Sequence, residues 1–397
     1  MWEQIRANRR RSIALILVMA LVLALLGAMI GGAFSPEHVW VGTAVAIAIW
    51  AILWLVAAAA GREIVLASVG AREITHDDIP RLFNVVEEMT IAAALPKMPK
   101  VYLIDNDAPN AFACGTPENS AVAVTTGLLT RLNRDELQGV IAHEIGHIKN
   151  NDTKFMTLAG VLLGAVVLIA DGFLRGMLYA GRGRRRGSAG GQGAAIFLLL
   201  AIIMAILAPI FAQLLYFACS RRREYLADAC GALFTRYPEG LASALEKIEA
   251  SASRMRDVNR VVAPMYIVNP LQGASASSLF STHPPTADRV RVLRSMAGGA
   301  GLAQYEAAFR KVHRTGIMGA ADLRQVPEAP IRQPGGDSGV EPLEQAREAV
   351  DVLHRLGGYI FLACPCGLKM KIPPAYGGKE IVCPRCGRGH RVPSGVD

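Results

Sequence analysis

The chain has 397 residues, 52% of them hydrophobic, with a mean hydropathy of +0.31. Soluble domains average about 45–50% apolar residues; here the excess is gathered into four runs, which argues against an ordinary soluble protein and for membrane integration. The net charge is +9, and arginines cluster at the ends of those runs, so the basic balance reads as topology and lipid contact rather than nucleic-acid binding.

Residues 12–32 carry no charge and match the roughly 20 apolar residues that span a bilayer as a helix. Residues 39–61 form a second such run, with Trp40, Trp50 and Trp54 supplying at least one interfacial anchor. The connector "AFSPEHV" is short and has no Lys or Arg, whereas Arg6, Arg9, Arg10 and Arg11 precede the first run. A hairpin with both ends in the cytoplasm is therefore expected. A cleaved signal peptide would have a shorter core and no second span behind it.

Next come three segments, "KVYLID", "NAFACG" and "AVAVTT", with the apolar content and the Asn and Pro punctuation of short strands. Asn133 then reads as a helix N-cap with Glu136 reaching back to it. Leu137, Val140, Ile141, Ile145 and Ile148 continue with helical spacing. On that helix His143 and His147 share a face one turn apart. The H-E-x-x-H pattern suits zinc: two imidazole ligands, with Glu144 placed to take a proton from a water that the ion acidifies.

Residues 155–170 are apolar but are followed by Asp171 and Arg175, which are four apart and able to pair. Residues 194–220 are a longer run with Pro209 as a kink. The loop between them, "GRGRRRGSAGGQG", holds four arginines. Either the two runs cross the membrane despite the charge rule, or they form a re-entrant or interfacial hairpin with a cytoplasmic loop. Immediately after, "EYLAD" places Glu224 and Asp228 on one helix face. Glu224 is the expected third zinc ligand, and Asp228 the carboxylate that holds a ligand histidine by its other ring nitrogen; the alternative is that both pair with Arg221 to Arg223 at the membrane surface. Both ligand helices adjoin apolar runs, so the membrane segments would bring the ligands together near the cytoplasmic face.

These features together resemble the HtpX-type membrane metalloproteases, relatives of the CaaX prenyl endopeptidases. HEIGH, two apolar segments and EYLAD follow an N-terminal hairpin, and the likeness covers residues 1–315, about four-fifths of the chain. Two further segments carry it. "NAFACG" is similar to the family's edge strand, which implies that Asn110, Ala111, Phe112 and Ala113 meet an extended substrate backbone; an internal strand with no such role is the alternative. "STHPPTADR" is similar to its His-Pro segment, which implies that His283 and Arg289 stabilise the oxyanion, directly or by orientation; alternatively His283 caps the helix that opens at Pro284.

Residues 316–339, with "VPEAPIRQPGGDSG", have linker composition, and residues 342–356 read as a short charged helix. Cys364-x-Cys366, sixteen residues and Cys383-x-x-Cys386 then fit a four-cysteine zinc ribbon in a reducing compartment. The first pair has one intervening residue instead of two, and the ribbon lies outside the basic HtpX pattern, which suggests an appendage that binds a substrate or protein partner. Cys114, Cys219 and Cys230 have no partner spacing and read as small buried residues.

The expected architecture is a mainly α membrane protein in four parts. They are a transmembrane hairpin over residues 1–61, an α+β zincin-like domain with a small sheet over 62–315 that includes hydrophobic segments 155–180 and 194–220, a linker and helix over 316–357, and a β zinc ribbon over 358–397. The expected function is a zinc endopeptidase, multi-pass in the cytoplasmic membrane and facing the cytoplasm, with one catalytic and one structural zinc. The resemblance implies misfolded or damaged membrane proteins as substrates. The alternatives are a non-catalytic scaffold that binds a partner through the ribbon, and a prenyl-protein processing protease. Glu144 separates the scaffold from an enzyme, because a structural zinc site closes with four protein ligands and has no use for a base.

Overall fold

A computed structural model describes residues 2–180, 196, 198–207, 210, 221–251, 262–268, 284–319, 323, 329–335 and 342–393. His283, Cys219 and the arginine-rich loop lie outside the described residues.

Helices α1 (Trp2–Phe34) and α2 (Val39–Ser68) form the N-terminal hairpin, joined by one 3-10 turn at Pro36–His38. Both are long and apolar enough to cross a membrane, over Ile16–Phe34 and Pro36–Ser68. Gly27, Gly31 and Gly42 face one another, and a Cβ at Gly42 would collide with the Gly27 carbonyl. Small residues thus let the two backbones touch, as dispersion-driven packing between helices in lipid requires. The hairpin leaves Leu17, Leu21, Ile52 and Leu55 exposed along its outer surface, and Trp40 is 73% exposed at the start of α2. Helices apolar on all sides with such a surface suit a lipid environment.

After β1 (Arg72–Glu73) and α3 (Pro80–Ala92) come β2 (Lys100–Ile104), β3 (Ala111–Thr116) and β4 (Asn119–Thr125). The three expected strands are present; the two-residue β1 is an addition. The sheet order is β1-β2-β4-β3, so β3 is an edge. Strand β2 runs parallel to β4, and the other neighbours are antiparallel. The sheet is covered on both faces. Ala111, Ala113, Val122 and Val124 belong to a core that holds α3 and the next helices. Phe112, Cys114, Ala121 and Ala123 belong to a second core with Val65, Leu66 and Phe155. Burial on both faces explains why β3 and β4 read as continuous apolar runs without alternation. It also makes α2 part of the domain's packing, continuing seven residues beyond the apolar run to Ser68.

A short α4 (Thr126–Arg131) leads to α5 (Arg134–Lys149) and α6 (Asp152–Ala180). Helix α5 opens with the expected capping box: Asn133 accepts from the Glu136 N–H, and Glu136 accepts from the Asn133 N–H. Arg175 and Asp171 pair on α6 at 2.8 Å. The apolar helix α7 (Leu198–Leu207) precedes α8 (Arg221–Thr235), α9 (Pro238–Glu249), α10 (Thr286–Arg294) and α11 (Leu302–His313). Gly139 allows α9 to lie against α5, since a Cβ there would stand 2.7 Å from the Leu241 nitrogen.

Part of the sequence with linker composition is docked. The Arg332 guanidinium donates to Asp135 at 2.6 Å, to Gln138 at 2.7 Å and to the Thr235 carbonyl at 3.0 Å, while the Gly335 N–H reaches Asp135 at 2.8 Å. Helix α12 (Pro342–Leu356) buries Ala349 and Val352 in the same core as α5. Two antiparallel ladders follow, β5 (Ile360–Ala363) with β6 (Lys369–Ile372) and β7 (Glu380–Val382) with β8 (Gly389–Arg391).

Candidate metal centre

The arrangement begins with close approach of α5 and α8. Gly146 faces Cys230 and Ala227, and Gly231 faces the backbone of His143, so these helices meet through small residues. That contact brings three donors together. His143 Nε2 lies 3.2 Å from His147 Nε2 and 3.6 Å from a Glu224 oxygen; His147 Nε2 lies 3.4 Å from the other Glu224 oxygen. Donors about 2.1 Å from a tetrahedral ion stand about 3.4 Å apart. The triangle therefore fits one divalent cation, and all three donor atoms lie within 4.8 Å of one another.

His143 is fully buried, and its Nδ1 stands 2.9 Å from Asp228. Burial alone pulls its pKa down, but the hydrogen bonds to Asp228 and Glu224 carry it up to about 9. Asp228 is gripped by Arg289 from α10 through two hydrogen bonds, Nε at 2.9 Å and Nη2 at 2.7 Å. Burial pushes the Asp228 carboxyl up, yet the Arg289 charge and hydrogen bonds bring it below the ordinary range. The expected contact between Asp228 and His143 is present, and Arg289 stands behind that pair.

Glu144 is 1% exposed, and its Oε1 has no hydrogen-bond partner among the described residues. Burial raises its pKa, opposed by the charges of His143 and His147 and a hydrogen bond from the Ala113 backbone. An orphaned carboxylate oxygen beside three converging donors could accept a proton there. The cavity there measures about 20 Å³ and is lined by Ala113, Glu144, His147, Arg223, Glu224 and Met265. That volume holds about one water.

The four residues expected to meet a substrate are divided. Ala113 lines the cavity. Phe112 points to the other side of the sheet, where its ring meets Tyr266 edge-on at 5.1 Å. The Ala111 carbonyl accepts from the Ile267 N–H at 2.9 Å, and the Asn110 amide donates to the Val268 carbonyl at 2.8 Å. Further along, the Gly115 carbonyl accepts from Thr153 at 2.9 Å. The outward edge of β3 is thus tied off on both sides of Ala113.

Asp152, which sequence reasoning passed over, also belongs here, and with it Arg223, whose partner is Asp152. Asp152 stands 3.3 Å from His147 Nδ1, and Arg223 stands 3.5 Å from Asp152. Both are buried. The available signal was an acidic residue opening the helix after the HEIGH segment, in a position that a continuous helix would have turned away.

Beside the β5–β6 and β7–β8 ladders the four thiols converge, with Cys364 and Cys386 sulfurs 3.4 Å apart and those of Cys366 and Cys383 3.7 Å apart. Sulfurs about 2.3 Å from one tetrahedral ion stand about 3.8 Å apart, so the set fits a metal. Gly367 and Gly387 follow the pairs at φ +86 and +72, a conformation that favours glycine and closes each knuckle. His390 Nε2 lies 3.3 Å from the Cys364 sulfur as a neighbouring donor. Cys114 and Cys230 are buried, as expected.

Two histidines and a glutamate thus surround a cation-sized gap with a buried carboxylate alongside, a donor set that suits a catalytic metal. A family model described as peptidase family M48 matches residues 78–297. "Protease HtpX homolog" of Dictyoglomus turgidum is 52% identical over 235 residues, covering 59% of this chain and 75% of that one. Its namesake in Dictyoglomus thermophilum is 45% identical, covering 74% and 94%, and that of Streptococcus uberis is 42% identical, covering 75% and 100%. The crystal structure of S. mikatae Ste24p overlaps 74% of this chain and 67% of its own at a TM-score of 0.41 and 18% identity. The chain belongs to peptidase family M48, among the HtpX-type membrane metalloproteases.

Proposed function

We propose that this protein is a zinc endopeptidase of the cytoplasmic membrane, multi-pass, with its centre facing the cytoplasm, that cuts misfolded or damaged membrane proteins. The observation that carries the reading is the orphaned Glu144 oxygen next to the His143, His147 and Glu224 donors. A zinc ion held by those three residues would acidify a water and polarise the scissile carbonyl. Glu144 would accept the proton of the attacking water and return it to the leaving amine. Asp228, held by Arg289, fixes the ring of His143. Ala113, on the sheet edge beside Glu144, aligns the substrate backbone. In keeping with its family likeness, His283 serves the oxyanion.

Cys364, Cys366, Cys383 and Cys386 would hold a second, structural zinc, which a domain this small needs for its fold. The ribbon offers a surface for a protein partner. The two apolar helices of the hairpin and the apolar helices next to α5 and α8 support the membrane placement.

The substrate claim is tested in proteoliposomes by following one membrane protein in stable and destabilised forms. The expected result is zinc-dependent cutting of the destabilised form alone, at sites on the face shared with the centre. Equal cutting of both forms would contradict selectivity for damage, and cutting confined to the opposite face would contradict the topology.

A further inference from the structure

We infer that Asp152 and Arg223 are positioning residues for His147, a second carboxylate–guanidinium clamp that ties the metal centre to the starts of α6 and α8. The inference rests on His147 being a ligand.

A continuous helix would place residue 152 roughly 140° around the axis from residue 147, facing away from it. The chain instead breaks after α5. Asn151 takes a left-handed conformation at φ +59, which Asn tolerates better than most residues. The break turns the start of α6 back, so that Asp152 Oδ2 comes 3.3 Å from His147 Nδ1. The other ring nitrogen, Nε2, is thereby left for the ligand triangle.

Asp152 is 1% exposed, and a carboxylate at that depth requires compensation. Arg223 supplies it from α8, with Nε 3.5 Å from Asp152 Oδ1. The guanidinium also lies 4.1 Å from the centre of the Phe155 ring, a cation–π contact that holds it flat. The chain of contacts repeats the one around His143, where Asp228 takes Nδ1 and Arg289 takes Asp228. Each ligand histidine therefore has a buried carboxylate and a buried arginine behind it, drawn from a different helix.

The second clamp differs from the first in where its members sit. Asp152 and Phe155 begin α6, the helix of the third apolar run, and Arg223 is the third residue of α8, directly after the fourth. Misplacement of either helix at the membrane would move the clamp and rotate the His147 ring. Metal affinity thus depends on how those two helices are docked.

The test uses the full chain in detergent, with Asp152→Asn, Arg223→Met and their double variant. Metal affinity at the histidine site is read by cobalt(II) titration, because thiolate coordination at the ribbon gives a separate, more intense absorption. The melting temperature of the metal-free protein serves as the folding control. The expected result is 10- to 100-fold weaker binding at the histidine site in each single variant. The double variant should be no weaker than Asp152→Asn, since the two act as one unit. Unchanged affinity in folded variants, or fully multiplicative losses, would overturn the clamp. Arg223→Lys keeps the charge, so its affinity should fall between wild type and Arg223→Met; if the other variants fail to fold, its unchanged affinity would overturn the proposal. Wild type that takes up no cobalt at the histidine site would instead remove the ligand assignment beneath it.

Discussion

Glu144→Gln is expected to lower kcat by about 10²- to 10⁴-fold while leaving zinc content unchanged. Glutamine has the same shape and can accept a hydrogen bond, but it cannot hold a proton between water and the leaving amine. Glu144 is outside the donor triangle of His143, His147 and Glu224, so metal retention is expected. The side chain is buried, and the removed charge belongs to an oxygen with no partner among the described residues. Stability should therefore hold or rise. Metal analysis, a melting curve and cleavage rates on the same preparation separate the possibilities. Loss of zinc together with activity would place Glu144 among the ligands, and full activity would remove it from the chemistry.

Arg289→Met should cost about 3–5 kcal/mol of stability, because it leaves the fully buried Asp228 carboxylate without its cation. Asp228 has a folded-state pKa below its unfolded value of about 3.9. Its contribution is therefore present above that pH and is lost as pH falls through the lowered value. At neutral pH the substitution removes the part that Arg289 supplies and leaves the His143 hydrogen bond. Zinc affinity should drop as well, since His143 depends on Asp228 for its ring orientation. Denaturant unfolding and metal titration check the two effects separately. A variant as stable as wild type would mean that Asp228 is compensated by some other group.

The contrast between these two residues shows what was legible beforehand. His143, Glu144 and His147 were readable because helical geometry alone puts i and i+4 on one face. Glu224 and Asp228 were readable for the same reason. Pairing the two helices needed only the apolar runs beside them. The Asp152–Arg223 contact was not readable, because it depends on a single left-handed residue, Asn151, that redirects the chain. The docking of residues 329–335 was hidden for a different cause. Their Pro and Gly content reads as linker, and Arg332 finds Asp135 across 197 positions in sequence. Strand β3 was readable as a strand, but the Ile267 N–H bond to the Ala111 carbonyl and the Asn110 side-chain bond to the Val268 carbonyl were not. Hydrogen bonds to an irregular segment leave no periodic trace in a sequence.

The measurement that tests the central claim most directly is cleavage of an unfolded protein by the detergent-purified wild-type chain. It is run after chelation and again after zinc is restored, beside Glu144→Gln purified in the same way. Cutting that stops on chelation, returns with zinc and is absent in the variant is the expected result. Cutting that survives chelation, or that the variant performs equally well, would contradict a zinc peptidase built on His143, Glu144, His147 and Glu224.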